Sequence, residues 1–124
     1  MIQKETLLKV IDNSGAKIVK CIKLPKKYTK KMNIGEKVTV SIFKLKTSLT
    51  KKLNKGDIFK AIIVRQKKNI YKKDGFFTLF QDNAILLLNN QYKNFGTRII
   101  GPVHSYIRKT KNLKTVFLNS NFIN

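Results

Sequence analysis

At 124 residues the chain is long enough for one domain, 1–124, with its own hydrophobic core. Its 27 Lys and Arg residues face six Asp and Glu, for a formal net charge of +21, while one Cys and one His exclude an internal disulfide and a structural zinc site. It contains no apolar run long enough to span a membrane and no signal-peptide-like N-terminus, so a membrane or secreted protein is not expected.

Short strand-like runs alternate with turns along the chain. Five glycines occur at a spacing of 19–21 residues (Gly15 to Gly96). Most of them lie one or two residues after an Asn or Asp, which is typical of turns between β-strands. This pattern predicts an all-β barrel or sandwich. In chain order, the predicted strands are 6–12, 17–24, 37–45, 57–66, 76–80 and 83–90.

The third run, "KVTVSIFKL" (37–45), changes phase within its length. Apolar side chains alternate at Val38, Val40 and Ile42 and then shift by one residue at Phe43 and Leu45. Such a shift predicts a β-bulge at 42–43, a feature that lets a sheet curl closed. The C-terminal region, 101–124, is expected to hold one or two short helices and a final apolar segment.

The sequence offers no catalytic constellation. The six acidic residues are scattered and four lie at turns, where carboxylates usually bind local backbone groups. Phosphate-binding loops, dinucleotide-binding motifs and paired-histidine zinc motifs are absent. Cys21 lies among apolar residues and is expected to be buried, and His104 has no metal-binding companion. We therefore expect neither an enzyme nor a cofactor or metal.

Basic clusters are the main functional signal. Each cluster alone could be a solvated turn, and Tyr28 and Tyr71, which lie within two of them, could simply pack over their own hairpins. Together they fit phosphate neutralisation with base stacking. A membrane surface would favour one basic amphipathic helix or tail, whereas these cations are spread along the chain. The clusters are 25–31, 44–55, 65–73 and 108–114.

Two rival functions are considered. A free secreted polycation would usually carry disulfides and a signal segment. A free single-strand nucleic-acid-binding, OB-like barrel needs exposed aromatic side chains on one strand face. Phe76, Phe77 and Phe80 could provide them, but we expect these rings in the core.

The composition also bears on origin. Lys, Ile, Asn, Phe and Tyr, which have A/T-rich codons, make up 63 of the 124 residues. This bias favours an organelle-encoded protein of the mitochondrial matrix, with a plastid or an A/T-rich bacterial cytoplasm as alternatives.

The stretch "GDIFKAIIVRQKKNIYKKDGFFTLFQDNAILLLNN" resembles the signature of the universal family of the fourteenth large-subunit ribosomal protein. The N-terminal "MIQKETLLKVIDNSGAKIVKCIKL" and the later "FGTRIIGPV" are similar to the same family. Leu86 stands where the family has Val, and the 25–33 loop and the C-terminus also depart from its pattern. The matched signature positions are Ala61-Ile62-Ile63-Val64, Asp74-Gly75, Phe80, Asn83 and Leu86-Leu87.

The resemblance implies a small closed five-stranded β-barrel with a protruding β-ribbon and short C-terminal helices. It implies a non-catalytic constituent of the ribosome that binds large-subunit ribosomal RNA at the subunit interface. Its expected partners are neighbouring large-subunit proteins, small-subunit ribosomal RNA through intersubunit bridges, and a ribosome-silencing factor. The role of the 25–33 loop stays open.

Site residues follow from the clusters and the resemblance. Arg65 and Arg98 stand out, because Arg is rare in this Lys-rich chain and its planar fork suits phosphate. The residues expected to contact RNA are Lys17, Lys20, Lys23, Lys44, Lys46, Lys51, Lys52, Arg65, Lys67, Lys68, Lys72 and Lys73. Those expected near the subunit interface are Thr97, Arg98, Arg108, Lys111 and Lys114; of these, Thr97, Arg98 and Lys114 are expected to form the surface for the silencing factor.

Overall fold

A computed structural model of the chain describes residues 2–25, 32–46, 53–109 and 122–123. Nearly all of its regular structure is β-sheet, as predicted, and no helix of the described residues is long and apolar enough to cross a membrane. The strands are β1 (Leu7–Val10), β2 (Ala16–Lys23), β3 (Lys37–Leu45), β4 (Ile58–Arg65), β5 (Ile70–Tyr71), β6 (Phe77–Thr78), β7 (Ala84–Leu88), β8 (Val103–His104) and β9 (Phe122–Ile123).

Five strands form a closed barrel in the order β1-β2-β3-β4-β7, which confirms the predicted architecture. Neighbouring strands pair antiparallel except at the closure, where β1 and β7 run parallel with Lys9 opposite Ala84. Closure leaves no unpaired sheet edge in the barrel. β5 and β6 form a separate two-stranded ribbon, as expected, with Ile70 opposite Thr78 and Tyr71 opposite Phe77.

The predicted bulge is present in β3. Val19 of β2 pairs with Ile42, but the preceding residue, Ile18, pairs with Lys44, so Phe43 is the extra residue on β3. Phe43 is 46% exposed, whereas Ile42 before it is buried. The phase shift that was visible in the sequence therefore corresponds to a real change of register.

The core fills the barrel and is densest along β4 and β7. Residues 61–64 are all buried, as predicted from their unbroken apolar run, and so is every residue of β7. Cys21 and Phe80 are buried too, which confirms their expected place in the core.

Three turns share one hydrogen-bonding design. In each, the side chain of the fourth residue accepts a hydrogen bond from the backbone N–H of the first, and the third residue has positive φ. The N–H donors are Gln3 (3.1 Å to Thr6 Oγ1), Asn33 (3.0 Å to Glu36 Oε2) and Asn54 (2.9 Å to Asp57 Oδ2). The φ values are 72° at Glu5 and 88° at both Gly35 and Gly56. Two of the turn acids therefore bind backbone groups as predicted.

The C-terminal region is described only in part. A 3-10 helix spans Ser105–Lys109, and β8 pairs in parallel with β9 through Val103 and Phe122. This agrees with the expected short helical element and final apolar segment. Residues 110–121 lie outside the described part of the chain.

Candidate RNA interface

Exposed lysines cluster at one end of the β2–β3 pair. Ala16 pairs with Leu45 and Ile18 with Lys44, so Lys17, Lys44 and Lys46 lie at neighbouring positions of the two strands. All three side chains are exposed. Lys46 is also held in place, because its N–H donates to Gly15 O at 2.8 Å and its Nζ donates to Asp12 O at 3.3 Å.

Asp12 organises the backbone at this end of the barrel. Its buried carboxylate accepts hydrogen bonds from Ser14 N (3.1 Å), Ser14 Oγ and Leu87 N (3.2 Å). Burial raises the pKa of Asp12 above its ordinary value, although these hydrogen bonds and Lys46 oppose the rise. The carboxylate thereby ties the turn after β1 to β7, the strand that pairs with β1 where the barrel closes.

Asn13, the next residue, holds the loop that carries Thr97 and Arg98. Its Oδ1 accepts hydrogen bonds from Thr97 N at 2.7 Å and Arg98 N at 3.2 Å, and its Nδ2 donates to Thr97 Oγ1 at 2.7 Å. Gly96 permits this approach, since a Cβ there would lie 2.7 Å from Asp12 Cβ. The structure therefore brings predicted interface residues next to predicted RNA-binding lysines. Sequence reasoning missed Asn13, which the turn motif "DNSG" alone marks only as a turn residue.

Two further lysines of β2 lie toward the other end of the barrel. Lys23 pairs with Thr39 and is six residues from Lys17, a separation of about 20 Å along a strand. Lys20 lies between them and forms an exposed ion pair with Glu5 at 3.2 Å. Exposed pairs of this kind add little stability, so Lys20 can exchange Glu5 for a phosphate at small cost.

The ribbon carries the second group of cations. Lys67 and Lys73 are exposed, and Lys68 and Lys72 are partly buried. The N–H of Lys67 donates to Asn83 Oδ1 at 2.8 Å, which fixes the base of the ribbon. The Asp74-Gly75 turn forms its tip, with Gly75 at a φ of 84°.

Aromatic residues of the ribbon contradict the expected burial. Phe76 is 72% exposed and Phe77 57% exposed, so their prediction as core residues is wrong. For Phe77 the reason is that a two-stranded ribbon can press only one face on the barrel, and that face carries Ile70, which packs against the core. Phe76 lies beside the exposed turn at the tip of the ribbon. Tyr71 and Phe77 lie opposite each other on the other face, with ring centroids 6.2 Å apart. Tyr71 is thus paired across its hairpin and, at 75% exposure, also available for stacking.

Arg65 lies apart from the other predicted RNA contacts because its side chain is buried. It is 8% exposed, and its guanidinium grips Asp82 with Nε 3.0 Å from Oδ1 and Nη2 3.3 Å from Oδ2. Nη1 lies 3.5 Å from Pro102 O. A buried charge must be paired within the protein, and this fork ties β4 to the loop before β7 and to the segment after Gly101. Its contacts are those of a structural residue.

Of the remaining predicted site residues, one lies within the described part of the chain and four lie outside it. Arg108 lies exposed in the 3-10 helix. Lys51, Lys52, Lys111 and Lys114 lie outside the described residues. One cation that the sequence did not single out, Lys37, lies over the Tyr92 ring at 4.5 Å from its centroid. No cluster of possible metal ligands occurs within the described ranges.

His104 and Gln66 are buried polar residues near the base of the ribbon. His104 Nδ1 accepts the Tyr106 N–H at 3.0 Å, and burial, aided by the charge of Lys72, lowers the pKa of the imidazole. His104 Nε2 and Gln66 Nε2 are shielded from solvent and have no hydrogen-bond partner among the described residues. An unsatisfied buried donor costs about 1–3 kcal/mol, so this pair is unusual for a folded protein.

Comparison with known proteins places the chain in a family. The family model described as "Ribosomal protein L14p/L23e" matches residues 1–123. Large ribosomal subunit protein uL14 of Carsonella ruddii (strain PV) is 42% identical over 124 residues, which cover 99% of this chain and 100% of that protein. The uL14 protein of Hydrogenobaculum sp. (strain Y04AAS1) is 38% identical over 108 residues, covering 87% and 88% of the two chains. The chain therefore belongs to the ribosomal protein L14p/L23e family and is a structural constituent of the ribosome that binds ribosomal RNA.

Proposed function

We propose that this protein binds large-subunit ribosomal RNA on the face that meets the small subunit and takes part in intersubunit bridges. The observation that carries the proposal is the Asn13 junction, which joins the lysine cluster at the end of β2–β3 to Thr97 and Arg98. One end of the barrel thus presents cations both to large-subunit ribosomal RNA and to the surface of the small subunit.

The proposed RNA contacts omit Arg65, whose guanidinium is buried against Asp82. They are Lys17, Lys20, Lys23, Lys44, Lys46, Lys51, Lys52, Lys67, Lys68, Lys72 and Lys73. The proposed subunit-interface residues are Thr97, Arg98, Arg108, Lys111 and Lys114, of which Thr97, Arg98 and Lys114 would also form the docking surface for a ribosome-silencing factor.

The mechanism is positioning and involves no catalysis. Lysines neutralise phosphates where RNA strands approach one another, and the closed barrel holds those lysines at fixed separations. Backbone and shape contacts then set the register of the protein on folded RNA. On the ribbon, Tyr71 and Phe77 add an exposed aromatic face beside Lys72 and Lys73, which suits stacking on unpaired bases.

The RNA-binding part is tested by salt dependence. The full chain is titrated with a large-subunit ribosomal RNA transcript at several salt concentrations, with the double variant Lys17→Gln/Lys44→Gln beside it. Each lost phosphate contact should reduce the slope of log K against log salt by about 0.7–0.9. Lys93→Gln, an exposed lysine outside the proposed set, is the matched control. An unchanged slope in the double variant would remove this lysine cluster from the interface.

The subunit-interface part is tested with Arg98→Glu. Incorporation into large subunits and assembly of whole ribosomes are measured separately on sucrose gradients. We expect whole ribosomes to decrease more than large subunits, with Lys93→Glu as the charge-matched control. Equal losses of both would mean that Arg98 serves assembly of the large subunit instead. Binding of a silencing factor to the same variant tests the docking surface.

The protein resides in the ribosome, and its compartment belongs to the proposal. The A/T-rich composition predicts a mitochondrial matrix, whereas the two relatives described above are bacterial and support the bacterial cytoplasm. Locating the coding sequence in an organellar or a bacterial genome decides between them. The rival OB-like single-strand binder is not favoured, since the family match covers residues 1–123.

A further inference from the structure

A cleft of about 270 Å³ lies at the base of the lysine-rich ribbon. It is formed where the start of the ribbon meets β8 and the 3-10 helix. Its lining includes Asn33, Gln66, Lys68, Ile70, His104 and Tyr106. Its volume falls just below the ~300–1,000 Å³ of small-molecule sites, a size that suits one flat ring.

Two unpaired hydrogen-bond donors belong to the lining of this cleft. Gln66 is 2% exposed and His104 8% exposed, and the Nε2 atom of each has no partner among the described residues. Since His104 Nδ1 accepts the Tyr106 N–H, the neutral ring carries its proton on Nε2. Both nitrogens are therefore donors that require an acceptor.

The rim of the cleft carries the other groups needed to bind a nucleotide, namely an aromatic ring, an apolar surface and a cation. The Tyr106 ring is 49% exposed beside His104 and can cover a flat ligand. Ile70 offers an apolar surface, and Lys68 brings a positive charge toward any attached phosphate. Proteins recognise unstacked RNA bases by this combination of an aromatic side chain, hydrogen bonds to a base edge and a nearby cation.

We propose that the cleft binds one unstacked nucleobase of the ribosomal RNA, whose acceptor atoms take the hydrogen bonds of Gln66 Nε2 and His104 Nε2. Guanine is the preferred base, because its N7 and O6 present two adjacent acceptors on one edge. Both nitrogens are shielded from solvent in the RNA-free chain, so side chains of the lining must shift for the base to reach them. This inference rests on the RNA-binding function proposed above.

The test uses Gln66→Leu and His104→Phe in the full chain. Both substitutions remove a donor and keep approximate shape. His104→Phe also removes the Nδ1 acceptor of the Tyr106 N–H, so urea unfolding is measured beside binding, and Gln66→Leu is the variant that leaves this hydrogen bond in place. Affinity for the large-subunit ribosomal RNA transcript should fall about 5- to 100-fold in each variant, the range for loss of paired base contacts. The slope of log K against log salt should stay as in the wild type, because no phosphate contact is lost.

A chemical footprint identifies the base directly, since dimethyl sulfate methylates guanine N7. We expect one guanine to be protected by the wild-type protein and reactive again with either variant. A protected adenine or cytosine in its place would uphold the base site and overturn the guanine preference. Identical affinities and footprints for wild type and both variants would overturn the base site.

Failure of this inference can be told apart from failure of the proposed function. If Lys17→Gln/Lys44→Gln weakens RNA binding while the cleft variants do not, RNA binding stands and the cleft proposal falls. If neither set changes RNA binding, the proposed lysine interface falls as well. If the cleft variants bind RNA with normal affinity but enter large subunits poorly, the nucleobase proposal is overturned. The occupant of the cleft would then be a carbonyl group of a neighbouring protein.

Discussion

Asn13 and Thr97, which are 84 residues apart in the chain, are joined by hydrogen bonds in both directions, with the Asn13 amide donating to Thr97 Oγ1 and accepting from Thr97 N. This amide fastens the loop after β7 to the turn after β1, next to Lys46. The orientation of Arg98 therefore depends on a side chain at the opposite end of the sequence.

Replacing Asn13 by Ala should loosen this loop. Three hydrogen bonds would be lost, and at about 0.5–1.5 kcal/mol each, less for exposed groups, the free energy of unfolding should fall by about 1–2 kcal/mol. Urea unfolding measures the loss, and faster hydrogen exchange at the Thr97 and Arg98 amides locates it. Asn13→Asp keeps the acceptor and is the matched control. Equal exchange rates in Asn13→Ala and Asn13→Asp would show that the acceptor does not hold the loop.

Substitution of Arg65 should lower the free energy of unfolding and leave the salt dependence of RNA binding unchanged. Arg65→Leu strands the Asp82 carboxylate, and losing one partner of a buried pair costs about 3–5 kcal/mol. We expect the lower end, because the Asp82 side chain is 26% exposed and Lys9 lies 3.6 Å away. Urea unfolding should show this loss, while the salt slope of RNA binding stays that of the wild type. If Arg65→Leu reduces the slope of log K against log salt and leaves the stability unchanged, Arg65 contacts a phosphate after all.

Glu5 occupies the turn position that glycine takes in the two related turns. Its φ of 72° is left-handed, a conformation that costs a residue with a Cβ about 1–2 kcal/mol. Glu5→Gly and Glu5→Ala both remove the ion pair with Lys20, so their difference isolates the backbone. We expect the Gly variant to be more stable than the Ala variant by about 1 kcal/mol in thermal or urea unfolding. If the Ala variant is the more stable of the two, as is usual where φ is negative, the backbone at Glu5 is not strained.

His104 should make the fold sensitive to mild acid. Its pKa is lowered in the folded state from an ordinary 6.5, so its contribution is complete above pH 6.5 and is lost as pH falls through the folded pKa. Asp12, whose pKa is raised, works in the opposite direction. We therefore expect the stability of His104→Phe relative to wild type to increase as pH falls from 7.5 to about 5. A difference independent of pH would show that the imidazole has the same pKa in the folded and unfolded states.

Much of the fold could be read from local patterns. The alternation of apolar residues gave the strands, the Asn- and Asp-associated glycines gave the turns, and the phase shift at Phe43 gave the bulge, because each reflects a backbone geometry spanning a few residues. The charge of +21 and the family motifs then indicated a partner made of RNA.

Other features depend on contacts between distant residues. The Phe76 and Phe77 rings were expected in the core, but Phe76 lies beside the tip of the ribbon and Phe77 lies on the face opposite to Ile70, which packs against the core. Arg65 was expected at the RNA surface, but the register of β4 against β7 buries it beside Asp82.

The sequence by itself determined that this is a strongly basic, turn-rich β-protein of a ribosomal family, because composition, periodicity and motifs are properties of neighbouring residues. Only the tertiary structure decided which cations face outward, that Asn13 holds Thr97 and Arg98, and that Gln66 and His104 share a cleft. These relationships join segments that are distant in the chain, as does the pairing of β1 with β7 at the barrel closure, and no local pattern records such a pairing.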